Sequence, residues 1–539
     1  MGMDAPRRLR AILDRPDAEA VVGALAEQDF HVTLKEVGAS DAGPLLALAR
    51  PEQLHHLFDM EWWSKAEVVP SRAARWLVEL AGCSERKFLQ WLYTADFELL
   101  VLLFKKWLRV VVIPEDEDLM EVRDRLPEKT LDDQYFWESR YPQFEDFFHN
   151  VLGYLFETHR EFYVELLNHV VWALDPEVEE GAYRFHRGRL EDRAVPDYYD
   201  ALEIYRSIGP EEMAGGKDVG SSREDAATAP SFALARIPPG DLLGRALSTL
   251  PGGPLLDHLK IELASLANKV VVADRLSPED PEHLKEGLNK VSALANLGLH
   301  LQSGGEMEAA LEVLEKVFLE HLFRLGQGRA ARLRNALARI VEKGWIARWP
   351  WGLNILDDPW KERAEMLLEK SPRVPRPGRD PSGDFFRIPE DLRESEEFVQ
   401  GIEGLGAVLE ALEARVEVLG AGLWKEAQIG DPAQATLGVL LWTAAARREL
   451  DGAWRAEPLP VEAWPELFPR LRPVAVEASV TSWLDEAFPG APWRSRVDDL
   501  LRPLFQDYVE EMRPFGETGP PEPRLTRFFL FASPESGGA

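Results

Sequence analysis

The sequence predicts an all-α fold, and three observations carry that prediction. Apolar residues recur at spacings of three and four over 21–34, 44–58, 71–80, 86–108, 144–173, 255–272, 284–301, 306–323, 329–346, 398–419, 433–450 and 496–512, which places them on one face of a helix. Alternating apolar and polar runs are nearly absent, Val110-Val111-Val112-Ile113 before Pro114 reading as a helix end or one short strand. The N-terminal third repeats itself. Together these predict an N-terminal helical-hairpin solenoid, a middle helical domain and a C-terminal helical bundle.

The repeat is read from leucine-led segments. Leu25-Ala26-Glu27-Gln28-Asp29-Phe30 returns as Leu48-Ala49-Arg50-Pro51-Glu52-Gln53 and as Leu92-Tyr93-Thr94-Ala95-Asp96-Phe97, with a weaker copy from Val69. The starts at 25, 48, 69 and 92 are 23, 21 and 23 residues apart, a period that suits a stacked helical hairpin. Later segments divide the chain by composition. Residues 214–230 are small and polar, and 371–384 carry four prolines and two glycines, so both read as flexible linkers. The expected domains are 1–213, 231–370 and 385–515. A tail over 516–539 follows, whose inner LTRFFLF (525–531) is apolar enough to dock on the body.

Charge and cysteine content exclude several functions. With 62 Lys and Arg against 93 Asp and Glu among 539 residues, the net charge is −31, which opposes general nucleic-acid binding. With 45% apolar and 29% charged residues, the composition is globular. One cysteine, Cys83, excludes an internal disulfide and a cysteine-rich zinc site and fits a reducing cytoplasm; in its helix-junction context it reads as a small packing residue. The apolar stretch Leu99 to Ile113 is broken by Lys105, Lys106 and Arg109, so no membrane span or signal peptide is expected. Phosphate-loop, dinucleotide, nucleophile-elbow and zinc-protease motifs are absent from the sequence.

Three clusters invite chemistry. His149, His159 and His169 stand ten residues apart, which rotates them off a common helix face, and Asp146-x-x-His149 and Glu52-x-x-His55 have an acid-x-x-His form that chance supplies readily in so acidic a chain. No metal and no cofactor is therefore expected. The acidic run 115–118 suits a helix N-terminus, with weak binding of a divalent cation as the alternative. In 181–205, Arg184, Arg187, Arg189 and Tyr199 read either as a salt-linked helix end or as an anion pocket, and the second reading allows an enzyme site near 145–205.

The sharpest feature is 324–348, where Arg324, Arg329, Arg332, Arg334, Arg339, Lys343 and Arg348 oppose only Glu342. On a helix, Arg329, Arg332, Arg339 and Lys343 share an arc of about 80°, apart from the apolar Leu333, Leu337 and Ile340. Trp345, Trp349 and Trp351 follow. The stripe either pairs with acidic neighbours inside the protein or docks an acidic protein partner, with Trp345 beside it. The functional expectation is a non-enzymatic cytoplasmic scaffold or adaptor that binds a protein through helical-repeat surfaces. An enzyme and a divalent-cation-responsive regulator are the alternatives.

Three resemblances accompany these readings. Residues 20–112, through the leucine-acid pattern and WLYTADFELLVLLFKKWLRV, resemble the helical-repeat N-domain of MgtE-type magnesium transporters, which implies a helical array but not transport. Residues 291–323 resemble one tetratricopeptide repeat at Leu294, Leu297, Gly298, Leu301, Gly305, Ala310, Leu314 and Val317, which implies a close helix pair. The whole chain resembles an uncharacterised bacterial family of similar length through LARPEQLHHLFDMEWW (48–63), TADFELLVLLFKKWLRV (94–110), GAYRFHRGRLEDRAVPDYYDALEIY (181–205) and EHLFRLGQGRAARLRNAL (320–337); that family implies no catalytic residue.

Overall fold

The computed structural model describes all residues except 1–4, 39–41, 65, 114–122, 210–212, 214–216, 218–228, 278–279, 377–381, 421, 516–518 and 535–539. Helices dominate the described residues and the strands are short, so the chain is all-α. The acidic run 115–118 lies outside the described residues. The chain divides into two compact units, 1–295 with 302–324, and 296–301 with 325–539.

Unit 1 begins with α1 (Ala5–Leu13), α2 (Ala18–Gly23), α3 (Glu27–Val37), α4 (Gly43–Leu48), α5 (Pro51–Glu61), α6 (Pro70–Cys83), α7 (Glu85–Thr94) and α8 (Phe97–Trp107). The leucine-led segments fall at corners between helices. Ala26, Ala49 and Ala95 are extended, with ψ of 150°, 149° and 149°, directly before or one residue from the next helix start. The recurrent acid is explained by the same geometry. Asp29 and Glu52 lie in the first turns of α3 and α5, and Asp96 directly precedes α8, where negative charge meets the positive end of the helix dipole. The copy from Val69 differs: it precedes Pro70, which starts the single 14-residue helix α6. Helix α5 touches both α3 and α7, and α6 touches both α4 and α8. Phe58 stacks on Trp62 at 4.2 Å, Trp91 meets Trp62 edge-on at 5.5 Å, and the Trp107 indole donates to the Pro70 carbonyl at 2.8 Å.

A hairpin, β1 (Trp63–Ser64) with β2 (Glu67–Val68), interrupts the helices, and a three-stranded antiparallel sheet follows α8. Its strands are β3 (Leu108–Val112), β4 (Lys129–Thr130) and β5 (Tyr135–Ser139), in the order β3-β5-β4, with Leu108 opposite Ser139 and Val112 opposite Tyr135. Thus Val110–Val112 are strand, not helix end. The central β5 escaped the sequence reading because consecutive Tyr135, Phe136 and Trp137 are all buried, which removes alternation. Next come α9 (Glu145–Thr158), α10 (Arg160–Trp172), α11 (Asp175–Asp192), α12 (Tyr198–Ala201), α13 (Leu242–Thr249), α14 (Pro254–Ala273), α15 (Pro281–Ser303) and α16 (Met307–Lys316). Residues 291–323 lie in α15, its left-handed cap Gly304, α16 and the residues that follow.

The first expected linker does not separate units. Asp29 accepts hydrogen bonds from the backbone of Ser231 and Phe232 at 2.7–2.9 Å, and the fully buried Lys217 ammonium pairs with Glu262. Residues 231–295 accordingly belong to the same unit as 1–213.

Unit 2 contains most of α17 (Leu319–Lys343), then α18 (Trp360–Leu368), α19 (Pro389–Ala411), α20 (Val416–Gly420), α21 (Leu437–Asp451), α22 (Trp464–Leu467), α23 (Pro473–Ala487) and α24 (Arg494–Met512). The second expected linker is also internal: β6 (Arg373–Val374) pairs antiparallel with β7 (Asp384–Phe385). Helix α19 packs closely on α24 because Gly401 leaves room for Leu500. The tail docks. Phe528, Phe529, Leu530 and Phe531 are buried, and Leu459 donates to the Leu530 carbonyl at 2.7 Å.

Candidate functional site

Helix α17 is 25 residues long, about 37 Å at 1.5 Å per residue. Leu322, Phe323, Ala330, Leu337 and Ile340 bury one side. Arg329, Arg332, Arg339 and Lys343 are exposed on another, spread over about 21 Å. Among the described residues none of the four has a carboxylate partner. Arg339 Nε donates only to the Asn335 carbonyl of its own helix, at 3.3 Å. Lys343 lies in the last turn, where its charge also suits the negative helix end.

The neighbouring cations are differently engaged. Arg334 Nε donates to the Leu368 and Glu369 carbonyls at 3.1 and 3.0 Å, and Arg324 Nε to the Arg206 carbonyl at 3.0 Å. Trp345 corrects the expected stripe. It is partly buried, its indole donates to the Ile402 carbonyl at 2.8 Å, and its ring fills the space a side chain on Gly406 would need. Its indole thus packs inward as an anchor between α17 and α19.

The structure does not assemble the four residues of the expected anion pocket. Arg189 grips Asp59 with two hydrogen bonds of 2.7 Å and reaches Asp96 with its remaining Nη, so its fork is occupied. Arg187 pairs with Glu191 at 3.2 Å and reaches the Pro196 carbonyl. Arg184 is exposed over the Phe185 ring, and Tyr199 is 80% exposed. Arg187 and Arg189 are thus engaged with separate partners, and Arg184 and Tyr199 stand exposed, so the four do not converge on a common oxyanion position.

What the sequence reading missed is the polar interior behind Arg189. Helix α5 turns Gln53, His56 and Asp59 inward at three-residue spacing, with Glu61 a little further on. Gln53 donates to the Val22 and Leu25 carbonyls at 2.8 and 2.9 Å. His186 Nδ1 lies 3.1 Å from Asp59, and Trp63 stacks on its ring at 4.1 Å. Glu61 accepts from Lys35 and lies 3.0 Å from His31 Nε2. Burial raises the Asp59 carboxyl, but the hydrogen bonds and charges of Arg189 and His186 outweigh it and hold the group below its usual range. Burial also raises Glu61, and His31 and Lys35 reverse the sign. Burial pushes the His186 imidazole down, and His56 down to about 3. His56 Nδ1 is buried without a partner. The signal available in the sequence was a helix whose inward positions are polar.

Other expected sites resolve simply. His159 and His169 pack edge-on against Tyr93 and Phe97, and His149 lies tilted near Trp137. Among the described residues no group of three His, Cys, Asp or Glu side chains is arranged to hold a metal, and no helix is long and apolar enough to cross a membrane. Cys83 Sγ sits against Gly43, and burial followed by the Glu79 charge raises its thiol, which disfavours the nucleophilic thiolate.

These features define an all-α protein with a buried ionic interior in one unit and an exposed basic helix face in the other. Residues 1–532 match the family of unknown function DUF6178, and the chain belongs to that family. No curated protein and no solved structure matches the chain significantly.

Proposed function

We propose that the protein is a non-enzymatic cytoplasmic adaptor that binds an acidic segment of a protein partner, with the outer face of α17 as the contact. One observation carries the reading: Arg329, Arg332, Arg339 and Lys343 stand exposed on one helix face without a carboxylate partner among the described residues, in a chain of net charge −31. A chain so rich in acids has ample means to neutralise four surface cations, and leaving them open suits a partner that brings its own carboxylates. Four aligned charges are too few to overcome global repulsion from a nucleic acid.

The test uses a fluorescent 15-residue Glu-rich helical peptide. The intact protein binds it with an affinity that falls as salt rises, and Arg332→Glu with Arg339→Glu weakens binding at least about tenfold, as loss of charge-assisted contacts predicts. The melting temperature stays nearly unchanged because both side chains are exposed. Equal binding by the reversed variant, or tighter binding of a DNA duplex than of the peptide, overturns the reading.

A further inference from the structure

Unit 1 carries a second basic feature, of a different kind. A cavity of about 410 Å³ opens where the end of α8, strand β3, the residue after β5 and the α10–α11 junction meet. That volume lies in the range of small-molecule sites. Leu102, Val110, Val170 and Val178 supply apolar walls, and the cations are Lys105, Lys106, Arg109 and Arg140, against the acids Asp175 and Glu179. The lining therefore carries four positive charges and two negative ones.

Two of the cations are positioned by backbone. Lys105, whose side chain is only 16% exposed, donates to the Val170 and Ala173 carbonyls at 3.0 and 2.9 Å. These are carbonyls at the C-terminal end of α10, which lack partners within the helix. Arg140 Nε donates to the Leu108 carbonyl at 3.3 Å, and its two Nη groups have no carboxylate partner among the described residues. A guanidinium held by one edge presents the other for two parallel hydrogen bonds to an oxyanion.

The competing acids lie at the rim. Asp175 pairs with Lys105 at 3.0 Å but is 74% exposed; Glu179, on Lys106, is 48% exposed. Glu138, on Arg109, is 51% exposed. Water reaches and screens these carboxylates, so an entering anion can exchange with them.

We infer that this cavity binds a small molecule bearing one oxyanion on a compact apolar body, the oxyanion held by Arg140 and Lys105 and the body against the valine walls. Phosphate and carboxylate share this chemistry, and the probes separate them. Calorimetry of the full chain with phenyl phosphate yields saturable one-to-one binding, while benzyl alcohol, the same ring without charge, gives none. Benzoate in place of phenyl phosphate reports which oxyanion is preferred. Arg140→Gln, at an exposed position, weakens phenyl phosphate binding at least about tenfold, the loss of a charge-assisted pair. Val178→Trp fills the cavity and abolishes binding. Arg332→Glu with Arg339→Glu, the α17 variant, binds phenyl phosphate as the unaltered chain does. The inference is overturned if neither anion binds more tightly than benzyl alcohol, or if Arg140→Gln retains full affinity while its circular dichroism is unchanged.

Discussion

His56 is the residue whose cost is plainest. It is wholly buried, neutral down to about pH 3, and carries a ring nitrogen without a partner. In the unfolded chain it protonates near 6.5. Its folded value is therefore depressed, so its contribution is fully present above about pH 6.5 and is lost as the pH falls toward the folded value. The loss is about 1.4 kcal/mol per pH unit for each histidine that charges only on unfolding. His186 adds in the same direction, whereas Asp59 and Glu61 lose their contributions only below the ordinary carboxylate range. Urea denaturation between pH 6.5 and 4.5, followed by tryptophan fluorescence, should show falling stability, and His56→Leu should flatten that fall while leaving stability at pH 7.5 no lower. An equal slope in the variant would assign the acid sensitivity elsewhere. Residue-scale chemistry was the least legible part of the sequence. The exposed cations of α17 declared themselves by sign and spacing. Asp59, His186 and Arg189 lie up to 130 positions apart and meet only through the packing of α11 on α5.

At the scale of the element, glycines show how position decides the sign of a change. Gly406 in α19 faces Trp345: an added methyl would lie 2.4 Å from the Cδ1 ring carbon and 2.6 Å from Cγ. Alanine favours the helix by about 1 kcal/mol over glycine, but overpacking a rigid indole costs about 1–3 kcal/mol and displaces its hydrogen bond to the Ile402 carbonyl. Gly406→Ala should therefore lower the melting temperature. Gly188 in α11 has nothing within 4 Å of the same added atom, so Gly188→Ala should raise the melting temperature, through a gain in stability of up to about 1 kcal/mol. Thermal scans of both variants check the pair, and a common sign would refute the packing argument. Helices were legible because their periodicity is local, and prolines at Pro51, Pro70, Pro254, Pro281, Pro389 and Pro473 mark their first residues. The sheet was not, because β3 and β5 find each other across more than twenty residues and the first three residues of β5 are all buried.

At the scale of the molecule, the residues on either side of 214–230 fall in one compact unit, as do those on either side of 371–384, and the division between units falls among residues 296–325. Composition cannot distinguish a loop whose ends are tied, as Arg373–Val374 is to Asp384–Phe385, from one that links free bodies. The C-terminal tail shows the same tying at larger scale. Phe531 lies edge-on to Trp464 at 5.1 Å, and Phe529 lies 5.2 Å from the same ring. Leu530 N–H donates to Thr443 Oγ1 at 3.0 Å, and Trp424 N–H donates to the Phe531 carbonyl at 2.8 Å. Burying a large apolar side chain contributes about 1.5–3 kcal/mol, so Phe528, Phe529, Leu530 and Phe531 together contribute about 6–12 kcal/mol. That is comparable with the whole net stability of a typical domain, about 5–15 kcal/mol. Deletion from Thr526 onward should therefore unfold unit 2 while unit 1, which has its own core, persists. Limited trypsin digestion with mass mapping of the fragments reads this directly: cuts concentrate within 325–525 and spare 1–295. A digestion pattern identical to that of the full chain would mean that the tail packs without supporting the unit beneath it.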